Sequence, residues 1–285
     1  MGMDREEKKG KLYICATPIG NLSDMTPRVI EKLKNVDLIA AEDTRNSIKL
    51  LNHFGIRTPM TSYHEYNRFD KADELVEKLL SGADIAVITD AGTPCISDPG
   101  EILVRKCIEA GVEVTSLPGA SAVITALTLS GFSTRRFVFE GFLPARQKKK
   151  EREAALNRLI DETGTIVLYE APHHLKNTIE DLKAVLGGER RIALCRELTK
   201  KHEEVLRLTL SEALEVEPRG EYVLVIEGVS EEELKKEKEA SYESLSIEEH
   251  MQRYLKSGLS EKEAMKAVSR DRGISKRDIY NQIKR

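Results

Sequence analysis

At 285 residues the chain exceeds the usual size of one domain, and its 40% apolar content supplies material for two cores. Forty-five Lys and Arg against 48 Asp and Glu leave a net charge of -3, which excludes nucleic-acid binding by bulk charge and leaves that role to local patches. Cys15, Cys95, Cys107 and Cys195 make no CxxC pair, the start from Met1 to Lys11 is polar, and no apolar run approaches the ~20 residues that span a bilayer, so a reduced, soluble, cytoplasmic protein is expected.

Leu12 to Ala16 reads as a buried strand. The loop after it, Thr17-Pro18-Ile19-Gly20-Asn21-Leu22-Ser23-Asp24, lacks the GxGxxG spacing, and no P-loop occurs anywhere, so NAD(P) and ATP are disfavoured. Thr26-Pro27 starts a helix through Leu33. A strand at Leu38 to Ala41 ends in Glu42-Asp43-Thr44-Arg45, which is either the cap of a helix from Arg45 to Gly55 or a pair of carboxylates and a guanidinium at a site rim. Ile85 to Thr89 is a third strand. It feeds Thr89-Asp90-Ala91-Gly92-Thr93-Pro94-Cys95-Ile96-Ser97-Asp98-Pro99-Gly100, read either as a ligand-binding loop or as a stiff turn into a helix from Glu101 to Gly111. Val112 to Leu117 leads through Pro118-Gly119-Ala120-Ser121-Ala122 to an apolar helix, with Ser121 a cap or a cofactor contact.

Further strands are expected at Phe137 to Phe139, Thr165 to Tyr169, Arg191 to Cys195 and Tyr222 to Glu227, with helices from Glu151 and Leu175 and an antiparallel strand at Glu204 to Leu210. The run Arg146-Gln147-Lys148-Lys149-Lys150-Glu151-Arg152 is a solvated helix start or a flexible clamp on nucleic-acid phosphates. Adjacent His173 and His174 point in different directions and make a poor metal pair, and no metal is expected. The alternation gives an α/β protein with domains at residues 11–119 and 120–229, a polar linker at 230–245 and a helix-turn-helix-like tail at 246–285. In that tail ten Lys or Arg face six Asp or Glu, so it either touches RNA or packs as a helical appendage.

Taken in order, ATPIGNLSD, AEDTR, TDAGTPCISDPG, LPGASA, FEGFLP and YEAPHH closely resemble the motifs of the tetrapyrrole methylase superfamily over about residues 11 to 228, and more closely its 16S ribosomal RNA cytidine-2'-O-methyltransferase branch. The resemblance implies a two-domain class III methyltransferase fold, distinct from the common Rossmann-like methylases, with a small C-terminal helical extension. It also implies a homodimer, S-adenosylmethionine in the cleft between the domains, and 16S rRNA or the small ribosomal subunit as partner. Carried over by motif, Pro18, Asp90, Ala91, Gly92, Ile96, Ser121, Ala122, Tyr169 and Leu198 contact the cofactor. Arg146, Lys148, Lys149 and Lys150 in the basic run are the candidate RNA contacts read from charge, and His174, which stands where the branch usually carries arginine, is a further candidate.

A sulfonium methyl is already activated, so alignment of the ribose oxygen is the main catalytic requirement. The 2'-hydroxyl also loses a proton, for which Asp43 is the expected acceptor, with Arg45 orienting a neighbouring phosphate and Glu42 and Glu170 in reserve. Two other classes stay open: a methyltransferase acting on a tetrapyrrole-like small molecule, and a non-catalytic RNA-binding assembly protein.

Overall fold

The computed structural model describes residues 9–232, 234, 236 and 245–283. Contacts divide them into two compact units, one running to Leu159 and from Gly164 to Glu227, the other made of Ile160–Thr163 and the chain from Gly228 onward.

The first unit holds two five-stranded sheets. Strands β1 (Lys11–Cys15), β2 (Leu38–Ala41), β3 (Met60–Ser62), β4 (Ile85–Ile88) and β5 (Glu113–Leu117) form the first, all parallel, in the order β3-β2-β4-β1-β5. The three central strands β1, β2 and β4 alternate between two apolar layers, as a sheet covered on both faces requires. Leu12, Ile14, Ile85 and Val87 pack on Leu75 and Leu79 of α3 (Arg68–Leu80) and on Leu103 and Cys107 of α4 (Gly100–Glu109). Cys15, Ile39, Ala86 and Ile88 pack on Val29 and Leu33 of α1 (Pro27–Asn35) and Leu51 of α2 (Thr44–His53).

The second sheet comprises β6 (Phe137–Phe142), β7 (Thr165–Glu170), β8 (Arg191–Arg196), β9 (Glu204–Thr209) and β10 (Tyr222–Ile226), in the order β6-β7-β10-β8-β9. Only β6 and β7 are parallel, and β10 runs antiparallel to both β7 and β8. One face packs on α6 (Lys149–Leu159), α7 (Leu175–Leu186) and α8 (Leu210–Ala213), and the other on α5 (Ala122–Ser130).

Expected elements recur within a residue or two, apart from a longer β6. Three elements, β3, α3 and the four-residue α8, carry little signal in the sequence and go beyond the expected set. β3 is a half-exposed edge strand of three residues, and α3 starts at Asn67 with no side-chain cap bond and shows one apolar stripe, Ala72, Leu75 and Leu79, in a polar segment. The first sheet is all parallel, whereas the second is mixed because its last strand inserts between two earlier ones.

In the second unit, α9 (Ile247–Lys256), α10 (Glu261–Arg272) and α11 (Lys276–Ile283) close over Ile247, Met251, Ala264, Val268 and Ile279. Ser246 and Ser260 each form a full capping box, with Glu249 and Glu263 respectively. The polar run expected as a linker falls largely outside the described residues.

Candidate active site

In an open α/β sheet, ligands gather where the strands release their loops. Three such loops of the first sheet are tied together. Thr17 and Gly92 exchange backbone bonds of 2.8 and 3.1 Å, and Thr17 Oγ1 donates to Thr89 O at 3.1 Å. Thr93 Oγ1 donates to Ala120 O at 3.0 Å, joining the turn after β4 to the loop before α5.

The next segment bridges the two sheets. Cys95 and Ser97 take left-handed φ of 72° and 64°, conformations that cost a non-glycine residue of order 1–3 kcal/mol and cluster at functional sites. β6 accommodates that bend with a bulge between Phe139 and Gly141. Gly141 has φ 65°, and a Cβ there would lie 2.7 Å from Ser97 Oγ, so a loop of the first sheet seats where the second lacks a side chain. Asp98, next in line, has its carboxyl raised chiefly by burial, against amide bonds from Gly100 at 2.8 Å, Cys95 and Ile96.

These segments wall a cavity of about 360 Å³, within the range of small-molecule sites. The turn Asp90–Gly92, Ile96, Ser121 and Ala122 form one side, and Tyr169, Cys195, Leu198 and Val223 the other. Tyr169 packs edge-on to Phe139 with ring centres 5.0 Å apart, and burial pushes its hydroxyl pKa up. Six carboxylates, Glu42, Asp90, Asp98, Glu170, Glu197 and Glu221, also line the cavity. Several are held in place: Thr89 Oγ1 donates to Glu42 at 2.5 Å, Asn46 Nδ2 to Asp90 at 3.0 Å and Thr178 Oγ1 to Glu170 at 2.5 Å.

The structure therefore brings Asp90, Ala91, Gly92, Ile96, Ser121, Ala122, Tyr169 and Leu198 to one cavity. Pro18 is buried and does not line it, and its neighbour Ile19 does instead. Asp43 and Arg45 do not line it. Asp43 caps α2 by accepting from Arg45 N at 2.8 Å, and its carboxylate binds the Arg45 guanidinium at 2.7 Å. The Arg45 hydrogen bonds hold the Asp43 carboxyl down at about 2, which makes it a weak proton acceptor.

The two arginines of the basic segment are bonded to neighbouring elements. Arg146 donates to Asp181 and to Asn177 O, both at 2.8 Å, so it braces α7. Arg152 is buried and donates to Asp181 at 2.7 Å, Pro144 O at 2.7 Å and Thr178 Oγ1 at 2.9 Å. Lys148, Lys149 and Lys150 are exposed at the start of α6, and His174 is exposed at the start of α7, none of them in the cavity wall.

Glu197, Lys200, Glu221 and Tyr222 line the cavity without having been picked out from sequence. Because β10 is antiparallel, its first residue Tyr222 pairs with Glu170 and Arg196 at the ends of β7 and β8, so Glu221 arrives at the rim from the start of a strand. A parallel reading has no reason to look there. Glu197 to Lys200 follow β8, where the carboxyl-end rule alone points to them.

Two open sheets frame a cleft at their loop ends, and the sequence model of the tetrapyrrole (corrin/porphyrin) methylases matches residues 11–214, which makes this a methylase of that type. The fold resembles that of the methyltransferase CobJ, with TM-score 0.60 and 18% identity over 77% of this chain and 95% of that one. A protein of Halalkalibacterium halodurans named ribosomal RNA small subunit methyltransferase I is 47% identical over 97% of this chain and 96% of its own length. Its namesake in Bacillus subtilis (strain 168) is 45% identical over 99% and 96%. The chain belongs to the tetrapyrrole methylase family and, within it, to the ribosomal RNA small subunit methyltransferase I branch.

Proposed function

We propose that the protein transfers a methyl group from S-adenosylmethionine to the 2'-hydroxyl of a cytidine in 16S ribosomal RNA, acting in the cytoplasm on the small ribosomal subunit as a homodimer. One coincidence carries the reading: near-full-length similarity to proteins named for methylating small-subunit rRNA accompanies an acidic cleft at the loop ends of two sheets. In this reading residues 11–119 and 120–229 are the two domains that enclose it.

The cleft fits the donor on chemistry. Its apolar side chains, Ile96, Tyr169 and Leu198, suit an adenosine, the backbone of Asp90 and Ala91 and the amides of Ser121 and Ala122 suit polar groups, and its carboxylates suit a cationic sulfonium and ammonium. When bound, S-adenosylmethionine supplies an electrophilic methyl group. The protein's main contribution is to orient the ribose oxygen, an effect that can supply about 7–11 kcal/mol. Glu42, at the end of β2 and fixed by Thr89, takes the hydroxyl proton in place of Asp43. Arg45, with a side chain 88% exposed at the rim, is left to meet a flanking phosphate. Lys148, Lys149, Lys150 and His174 meet phosphates farther along the RNA, while Arg146 braces α7.

The test is transfer of radiolabelled methyl to purified 30S subunits and, in parallel, to free 16S rRNA, followed by nucleoside analysis. Formation of 2'-O-methylcytidine is expected. Label on another nucleoside overturns the specificity. Label on neither RNA, with donor binding intact and transfer to a tetrapyrrole, moves the activity to small molecules.

A further inference from the structure

The acidic cleft is poorly suited to its proposed RNA substrate in one respect. Six carboxylates line it, and the 2'-hydroxyl of a nucleotide inside a chain sits on the carbon next to the one bearing a 3'-phosphodiester. To bring the hydroxyl to the donor is to bring that phosphate toward the carboxylates. Like charges at short range in a partly dehydrated site repel strongly. A cation has to stand where the phosphate arrives.

Among the described residues lining the cleft, one carries a positive charge, Lys200. Its placement is over-determined. The loop after β8 turns through Glu197 and Thr199, both left-handed at φ 51° and 63°. Thr199 N donates to the Glu203 carboxylate at 2.7 Å, which closes the loop. Glu197 Oε1 lies where a Cβ on Gly220 would approach to 2.6 Å, and from there it holds the Lys200 ammonium at 3.0 Å. The lysine stem lies across Gly20 in the loop after β1, where a Cβ would meet Lys200 Cγ at 2.6 Å and Cε at 2.8 Å. Gly20 also has φ 153°, which side chains rarely adopt. A residue carried by the second sheet is thus laid over the first at the cleft wall, with its side chain 38% exposed.

We infer that Lys200 is the substrate-binding residue that receives the phosphodiester adjoining the target ribose, with Glu197 and Gly20 positioning its ammonium. The inference rests on the RNA-methylating reading proposed for this cleft. It gives the cleft's charges separate roles, the carboxylates other than Glu42 and Glu197 serving the cationic donor and one lysine serving the anionic acceptor.

The experiment compares Lys200→Met, which keeps the stem over Gly20 and removes the charge, with Lys200→Arg and the wild type. KM and kcat for 30S subunits, donor affinity by calorimetry, and the salt dependence of subunit binding are measured. Lys200→Met is expected to raise KM for subunits at least tenfold, leave donor affinity within about twofold, and lower the slope of log K against log salt by about one. Lys200→Arg restores most of the lost affinity. A purely structural lysine would not move the salt slope. Unchanged KM and slope in Lys200→Met overturn the inference, as does a loss confined to donor affinity, which would place the ammonium on the donor carboxylate. Failure of the wild type itself to label or bind 30S subunits overturns the underlying reading instead.

Discussion

Replacing Arg152 with Met tests whether the basic segment is a brace or a clamp. The Arg152 side chain is 9% exposed and donates to the Asp181 carboxylate, Pro144 O and Thr178 Oγ1. One bond to a charged group is worth about 1.5–3 kcal/mol and two to neutral acceptors about 1 each. Asp181 keeps Arg146 and is itself 24% exposed, so water and the second guanidinium recover part of the loss. The expected destabilisation is about 3 kcal/mol. At roughly 2–4 °C per kcal/mol for a unit of this size, Tm falls by about 6–12 °C. Burial pushes the Asp181 carboxyl up, but Arg146 and Arg152 outweigh it and leave it below the ordinary value. A depressed carboxyl contributes stability above its unfolded value, near 3.9, and loses it as pH falls through the folded value. Urea unfolding followed by circular dichroism should therefore show the full gap between variant and wild type at pH 7 and a narrowing gap below about pH 4. A gap under about 1 kcal/mol at pH 7, or one that widens in acid, would refute the brace.

Glu42→Gln is expected to lower kcat roughly 100- to 10,000-fold with donor affinity intact, whereas Asp43→Asn stays within a few-fold, as read in single-turnover methyl transfer at saturating subunits. Comparable losses in both variants would return the proton to Asp43. Gly141→Ala places a Cβ 2.7 Å from Ser97 Oγ at a left-handed φ of 65°. It should cost about 1–2 kcal/mol and weaken donor binding at least tenfold by calorimetry, and unaltered binding would show that the seat of Ser97 does not shape the cleft. His250 is buried under Tyr254 and accepts from Arg272 Nε at 3.1 Å, and its pKa is lowered by burial first and then by the Arg272 charge, with Asp271 opposing. A histidine depressed in the folded state stabilises fully above its unfolded value of about 6.5 and progressively less below it. Hydrogen exchange across Ile247–Ile283, corrected for intrinsic rate, should accelerate between about pH 7.5 and 5.5. Slower exchange in acid would reverse the assignment.

Much of the cleft was legible because its backbone demands are written in small residues: Gly92 and the Pro118–Ala122 segment each mark a loop that must pass close to another. Charge was harder to read. Asp43 and Glu42 are adjacent in sequence, and nothing in their order says that one caps a helix while the other faces the cavity, since that depends on where β2 ends and α2 begins. Arg146 and Arg152 look like surface cations until α7 brings Asp181 beside them. Glu221 stayed hidden because strand direction in the second sheet is a tertiary fact: the insertion of β10 rests on pairing with strands that begin 31 and 57 residues earlier (222 minus 191 and 222 minus 165).

That insertion also orders events during synthesis. The first sheet is complete once Leu117 has left the ribosome, but β7 and β8 cannot be joined until Tyr222–Ile226 emerges to fill the gap between them. Until then each presents an unpaired edge, the arrangement most prone to mispairing with other chains. The wall that carries Tyr169, Leu198 and Val223 is thus assembled last, and a nascent chain halted before residue 222 holds half a cleft facing two open strand edges.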